Sequence, residues 1–199
     1  MRETTKLLIL SDYDSFRYTL GKEPADILIS CGDIADQVIL EAAKAVQCSR
    51  IFAVKGNHDN GDTFQSPILD LHLTSCTFNG IRFGGFNGSW RYKPKGHYLY
   101  EQQEVKRLLE AFPPMDIFVA HNSPRNIHDK KDGVHFGFDA FNDYIHRVHP
   151  RLFLHGHQHM NQETRIGETR VIGVCGQRRL EIRSIVKVSI PLKFSVKVG

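Results

Sequence analysis

At 199 residues, with 41% hydrophobic and 24% charged content, the chain fits a single globular domain over residues 1–199 and is long enough to bury a large core. A formal net charge of +4 admits anionic partners without announcing a nucleic-acid protein, and no apolar run approaches the length of a membrane span. Cys31, Cys48, Cys76 and Cys175 form no CxxC pair, which argues against a zinc knuckle or redox motif; with no signal-peptide pattern in MRETTKLLIL, reduced thiols and a cytoplasmic location are expected.

In chain order, the runs LLIL (7–10), ILIS (27–30) and IFAV (51–54) predict short strands buried on both faces. Ile34, Val38, Ala42 and Val46 form the stripe of a helix over 34–46. TFNGIRF (77–83) predicts a hairpin, with Asn79-Gly80 as a type I′ turn. The Gly-rich stretch GGFNGSWRYKPKGHY (84–98) reads as a loop. Val105, Leu108, Leu109 and Phe112 predict a helix over 101–112, followed by the strand IFVA (117–120). Phe138, Phe141, Tyr144, Ile145 and Val148 predict a helix over 138–149, then come the strand LFL (152–154) and a hairpin in RIGETRVIGV (165–174). From Val186 to Val198 apolar and polar residues alternate strictly, as in a half-buried strand, and Pro191 suggests a sheet edge. Such an edge invites pairing, so a homodimer through this strand and its burial in the chain's own sheet are both open. Strands alternating with helices imply an α/β fold.

The residues that follow the buried runs carry the chemistry. They are Ser11-Asp12-Tyr13-Asp14, Cys31-Gly32-Asp33-Ile34-Ala35-Asp36, Lys55-Gly56-Asn57-His58-Asp59, His121-Asn122-Ser123-Pro124 and His155-Gly156-His157-Gln158-His159. In open α/β sheets, sites form at the carboxyl ends of strands, so these segments should converge. Glycines before Asp33, Asn57 and His157 allow tight turns that aim the next side chain at a shared centre. Carboxylate, amide oxygen and imidazole donors without thiolate suit Mn, Fe, Zn or Ni, with manganese favoured, and there are enough donors for two divalent metal ions. Two such ions are a standard device for phosphoester hydrolysis: a carboxylate bridges them and a shared hydroxide attacks phosphorus.

Taken together, DYD, GDIAD, GNHD, the His121 of AHNSP, and GHQH resemble the calcineurin-like metallophosphoesterase superfamily, whose D-x-H, G-D-x-x-D, G-N-H-[DE], lone His and G-H-x-H motifs occur in that order. Each motif alone is weak, but five in sequence over residues 12–159 are specific. The resemblance implies a four-layer αββα sandwich of two mixed β-sheets and a dinuclear phosphoesterase acting on phosphate esters. By motif position, Asp12, Asp14, Asp33 and His159 would hold the first metal, and Asp33, as bridge, with Asn57, His121 and His157 the second. His58 would face the scissile phosphate and stabilise charge or protonate the leaving oxygen. Asp59 would fix the His58 tautomer, and Asp36 would support the site in a similar way. In the 84–98 loop, Trp90, Arg91 and Tyr92 are candidates for a substrate rim. His155 is expected to face away, and His72, His97, His128, His135, His146 and His149 to be surface or core histidines.

The departure from the pattern is Asp14, which stands where the superfamily has His. If Asp14 ligates, three carboxylates oppose two divalent ions, the centre is less positive, and monoanionic phosphodiesters are preferred over dianionic monoesters. The alternative is that Asp14 faces solvent or caps a following short helix around residues 15–20. Two further functions stay open: a non-catalytic metal-binding scaffold on the same fold, against which the retention of His58 argues, and a metal-dependent nuclease, on which the weak basic excess is silent.

Overall fold

The computed structural model describes residues 4–13 and 23–183. Asp14 and the strand expected over 186–198 lie outside the described residues. In chain order the elements are β1 (Thr4–Ser11), β2 (Ile27–Ser30), α1 (Asp36–Ala45), β3 (Ile51–Ala53), β4 (Leu69–Asp70), β5 (Ser75–Phe78), β6 (Ile81–Phe86), β7 (Ser89–Trp90), β8 (Leu99–Tyr100), α2 (Gln102–Glu110), β9 (Ile117–Ala120), α3 (Asp139–Val148), β10 (Leu152–His155), β11 (Gln162–Ile166), β12 (Thr169–Gly173) and β13 (Gly176–Arg183).

Two mixed sheets result. One has the order β13-β1-β2-β3-β4 and the other β11-β12-β10-β9-β6-β5, with β7 and β8 forming a separate ladder. Strands β1 to β4 run parallel, as do β6, β9, β10 and β12, while β13, β11 and β5 pair antiparallel at the sheet margins.

The apolar alternation of each strand decides the layers. Leu7, Ile9, Ile27, Ile29 and Phe52 of the first sheet meet Phe83, Ile117, Val119, Leu154 and Ile172 of the second in the central core. The opposite face of the first sheet, with Leu8, Leu10 and Leu28, packs on Ile39, Ala42 and Ala43 of α1. The outer face of the second sheet, with Phe118, Phe153 and Val171, packs on Val105 and Leu109 of α2 and on Phe141, Tyr144 and Ile145 of α3. Helix, sheet, sheet and helices therefore stack as four layers, the αββα sandwich expected. Phe118 and Phe153 stack at 5.3 Å in that outer core, and truncating either to Ala would cost about 3–5 kcal/mol.

Local chemistry fixes the connections. Asn79 (φ 50°) and Gly80 (φ 72°) are both left-handed, as a type I′ turn requires. The second hairpin starts earlier than its apolar pattern, at Gln162, because the polar residues of β11 are largely exposed. Helix α1 begins at Asp36, not at 34, since residues 32–35 form the turn that delivers Asp33. Strand β13 (GQRRLEIR) has no apolar alternation to announce it; it forms by pairing with all eight residues of β1, from Thr4↔Arg183 to Ser11↔Gly176. The shared direction of β1, β2, β3, β9 and β10 gathers their carboxyl ends at one end of the sandwich.

Candidate metal centre

Five strand ends build the centre. After β1, Asp12 adopts a left-handed conformation (φ 56°), and its Oδ2 accepts from Ser11 Oγ at 2.5 Å and from the His157 backbone N–H at 2.9 Å. Its Oδ1 is buried and has no hydrogen-bond partner. After β2, Gly32 (φ 95°) turns the chain into Asp33 (φ 55°). Asp33 Oδ1 accepts from the His58 backbone N–H at 2.8 Å, and Oδ2 lies 3.2 Å from His121 Nε2. After β3, Asn57 is buried, with Oδ1 3.1 Å from the same His121 nitrogen.

His121, after β9, is fully buried, and its Nδ1 lies 2.8 Å from the Cys31 carbonyl. A carbonyl only accepts, so Nδ1 carries the hydrogen. In the neutral ring, Nε2 is then the lone pair turned toward Asp33 and Asn57. After β10, His157 (φ 64°) is buried with its ring 5.0 Å from that of His121. Asp12, Asp33 and His157 thus share a backbone conformation that costs a non-glycine residue on the order of 1–3 kcal/mol, and the hydrogen bonds above hold the two carboxylates there. The glycines act in two ways: Gly32 supplies a positive φ, whereas a Cβ on Gly156 would overlap Ser11 Oγ and Asp12 Oδ2, and one on Gly56 would overlap Asp33 Oδ1.

The electrostatics call for a cation. Burial opposes charge on His121, yet the Asp33 and Asp12 carboxylates and the hydrogen bonds to Asp33 and Cys31 push its pKa up to about 9. Burial also opposes charge on Asp33, but His121 and the His58 N–H hold its carboxyl well below the usual range. Desolvation raises the Asp12 carboxyl, and burial with the neighbouring His121 drives His157 well below the usual imidazole range. Asp12, Asp33 and His121 have ligand atoms all within 4.8 Å of one another. The orphaned Asp12 Oδ1 and the two acceptors converging on His121 Nε2 fit a divalent ion.

The remaining expected residues fall into place differently. His58 is exposed beside Asp33. His159 is exposed and lies outside the tight Asp12–Asp33–His121 group, its ring edge-on to His135 at 5.9 Å. Asp59 does not serve the His58 ring as expected: its Oδ2 takes the backbone N–H groups of Asp33 (2.9 Å) and Gly56 (2.7 Å), bracing the loop that carries the Asp33 carboxylate. Asp36 pairs with Lys55 Nζ at 3.0 Å and takes the Gln65 N–H at 2.7 Å, which fixes the 55–65 loop against α1.

Of the rim residues, Tyr92 reaches the site, its hydroxyl accepting from Asn57 Nδ2 at 3.2 Å; this orients the amide so that Oδ1 faces His121. Trp90 instead packs on the outer core of the second sheet. The Arg91 guanidinium is engaged by the Leu99 carbonyl (2.6 Å) and Glu101 (3.2 Å). A cleft of about 510 Å³ opens beside Asp33 and His58, lined also by Asp36, Gln37, Lys55, Asp59, Asp62 and Gln65.

His135 carries no motif in the sequence, yet its ring lies 5.0 Å from His157. It sits in a loop far from the motifs, and the sequence signal for it is only the Asp132-x-x-His135 pair. His155 also takes a defined part: its Nδ1 lies 2.9 Å from the Gly156 carbonyl and its Nε2 2.9 Å from His128 Nδ1, while His128 Nε2 lies 2.9 Å from Thr164 Oγ1. The Gly156 carbonyl sets the direction of this chain, so the Thr164 hydroxyl donates to His128, which donates to His155.

A sequence profile of the calcineurin-like phosphoesterase superfamily domain matches residues 10–186, and the chain belongs to that superfamily. Its fold is similar to the crystal structure of TT1561 of Thermus thermophilus, with a TM-score of 0.58 at 15% identity over 87% of this chain and 90% of that one. It is also similar to the phosphopantetheinyl hydrolase PptH from Mycobacterium tuberculosis, with a TM-score of 0.57 at 15% identity over 86% of this chain and 89% of that one. A search of curated proteins gives no significant match.

Proposed function

We propose that this chain is a dinuclear metal-dependent phosphoesterase that hydrolyses phosphodiesters. The observation that carries the reading is the convergence of Asp12, Asp33, Asn57 and His121 on one buried, cation-demanding point at the mouth of a cleft. On the superfamily pattern, Asp12, Asp14, Asp33 and His159 hold one ion and Asp33, Asn57, His121 and His157 the other. The donor set of carboxylates, an amide oxygen and imidazoles suits Mn, Fe, Zn or Ni, of which manganese is the ion we favour. When bound, the ions supply Lewis acidity and an acidified water.

The chain's own residues do the rest. Cys31 fixes the His121 tautomer and Tyr92 the Asn57 amide, so both donors face the centre before substrate arrives. His58, exposed and bonded to Asp33 through its backbone N–H, would give a proton to the leaving alkoxide oxygen. In the cleft wall Asp36 and Lys55 neutralise each other, which leaves Asp59 and Asp62 as acidic groups. Such a wall repels a dianionic monoester more than a monoanionic diester, in line with the extra carboxylate of Asp14 in the first motif.

The test is metal analysis of the purified protein, followed by hydrolysis of bis(p-nitrophenyl) phosphate and p-nitrophenyl phosphate with each metal. Two ions per chain and faster turnover of the diester are expected. A chain that binds metal but hydrolyses neither ester is a scaffold, and the reading fails.

A further inference from the structure

We propose that His135, carried by the loop between β9 and α3, is an additional ligand to one ion of this centre, with Asp132 as the residue that positions it. The inference rests on the dinuclear reading above. The loop is tied to the GHQH turn, because Gln158, between His157 and His159, donates from Nε2 to the His135 carbonyl at 3.0 Å. His157 Nε2 lies 3.5 Å from the Val134 carbonyl. These contacts set the His135 ring between those of His157 (5.0 Å) and His159 (5.9 Å).

Asp132 then fixes the ring. Its Oδ1 takes the backbone N–H groups of Val134 (3.0 Å) and His135 (2.8 Å), and its Oδ2 lies 2.6 Å from His135 Nδ1. An ionised carboxylate only accepts, so Nδ1 carries the hydrogen, and Nε2 of the neutral ring is left as the donor to a cation. A carboxylate holding the far nitrogen of an imidazole is the arrangement that orients metal-ligating histidines.

The spacing agrees. With metal–nitrogen bonds of about 2.0–2.1 Å and ring centres about 1.1 Å beyond, two imidazoles on one ion at about 90–110° have centres about 4.5–5.3 Å apart. His121 and His157, which the superfamily pattern assigns to one ion, are 5.0 Å apart, and His135 and His157 are also 5.0 Å apart.

The experiment titrates Mn²⁺ and Zn²⁺ into metal-free wild type, His135→Ala and Asp132→Asn, read by calorimetry and elemental analysis. The proposal expects one ion to bind at least about 10-fold more weakly in His135→Ala, and about 10–100-fold more weakly in Asp132→Asn without loss of the other ion. Two ions bound with unchanged affinity in His135→Ala overturn it and leave the dinuclear reading standing, whereas failure of wild type to bind any ion overturns both. Should His135→Ala not fold, ¹⁵N-histidine spectra of the wild type decide the matter. A Zn²⁺-dependent shift of the His135 Nε2 signal into the metal-bound range supports the assignment, and an unmoved signal rejects it.

Discussion

His121 meets the Cys31 carbonyl through Nδ1 at 2.8 Å, and that contact commits Nε2 to the point where Asp33 and Asn57 also aim their oxygens. Without an ion, a proton takes this place, which is why the imidazole pKa stands at about 9. A metal ion must displace that proton. Affinity for the ion at His121 should therefore rise with pH up to about 9, by as much as tenfold per unit, and binding should release a proton. Calorimetry in buffers of different ionisation enthalpy measures the release directly; binding with no proton release at pH 7 would remove His121 from the ligand set.

Asp33 is the donor shared by both halves of the centre in the proposed function. Its replacement by Ala removes the partner of His121 Nε2 and of the His58 N–H, and leaves two cations with no carboxylate between them. Both ions and all hydrolysis should be lost, and elemental analysis reads the first effect independently of the second. Retention of two ions per chain would refute the bridging role.

His58 differs because it is exposed and is not assigned to an ion. His58→Ala should keep both ions and slow turnover by ~10²–10⁴-fold. The loss should shrink for nitrophenol leaving groups, which need little protonation. Equal losses for good and poor leaving groups would leave His58 with charge stabilisation alone.

Much of this centre is legible in the sequence because its donors follow short apolar runs, and a strand's carboxyl end is a fixed place in an α/β fold. Asp12, Asp33, Asn57, His121 and His157 come together for that reason. What depends on tertiary packing is not legible. Asp59 sits next to His58 in the chain, yet its carboxylate turns back to the Asp33 and Gly56 backbones, because those N–H groups are buried where the loops cross. Arg91 is spent on Leu99 and Glu101, which the β7–β8 ladder brings beside it. His135 arrives through a loop whose fold no periodicity encodes. Strand β13 escapes notice because its partner β1 lies at the other end of the sequence.

Buried histidines with opposite shifts, His121 against His155 and His157, predict the pH dependence of stability in the metal-free protein. Burial lowers His155 from its ordinary value of 6.5 to about 3, with the like-charged His128 adding to the effect against the Gly156 carbonyl. Between these values the unfolded chain binds the proton and the folded chain does not, so stability falls as pH drops from about 6.5 toward 3. His121 runs the other way. Its folded value of about 9 exceeds the ordinary 6.5, so its contribution is complete below about 6.5 and is lost as pH rises through 9. Stability in EDTA should therefore peak near pH 6.5, with limbs on the order of a few kcal/mol on either side. Buried His157, also held well below 6.5, adds to the acid limb, whereas desolvated Asp12, whose carboxyl is raised, works against it, so the decisive comparison is between variants. His155→Gln should be less stable throughout, for want of its bonds to His128 and Gly156, but its stability should fall less steeply below about pH 6.5. His121→Gln should flatten the alkaline limb, and it also removes a charge that opposes protonation of His155 and His157 on the acid side. Urea unfolding at intervals from about pH 4 to about pH 9.5 measures both, and an acid limb equally steep in His155→Gln would show that another group carries it.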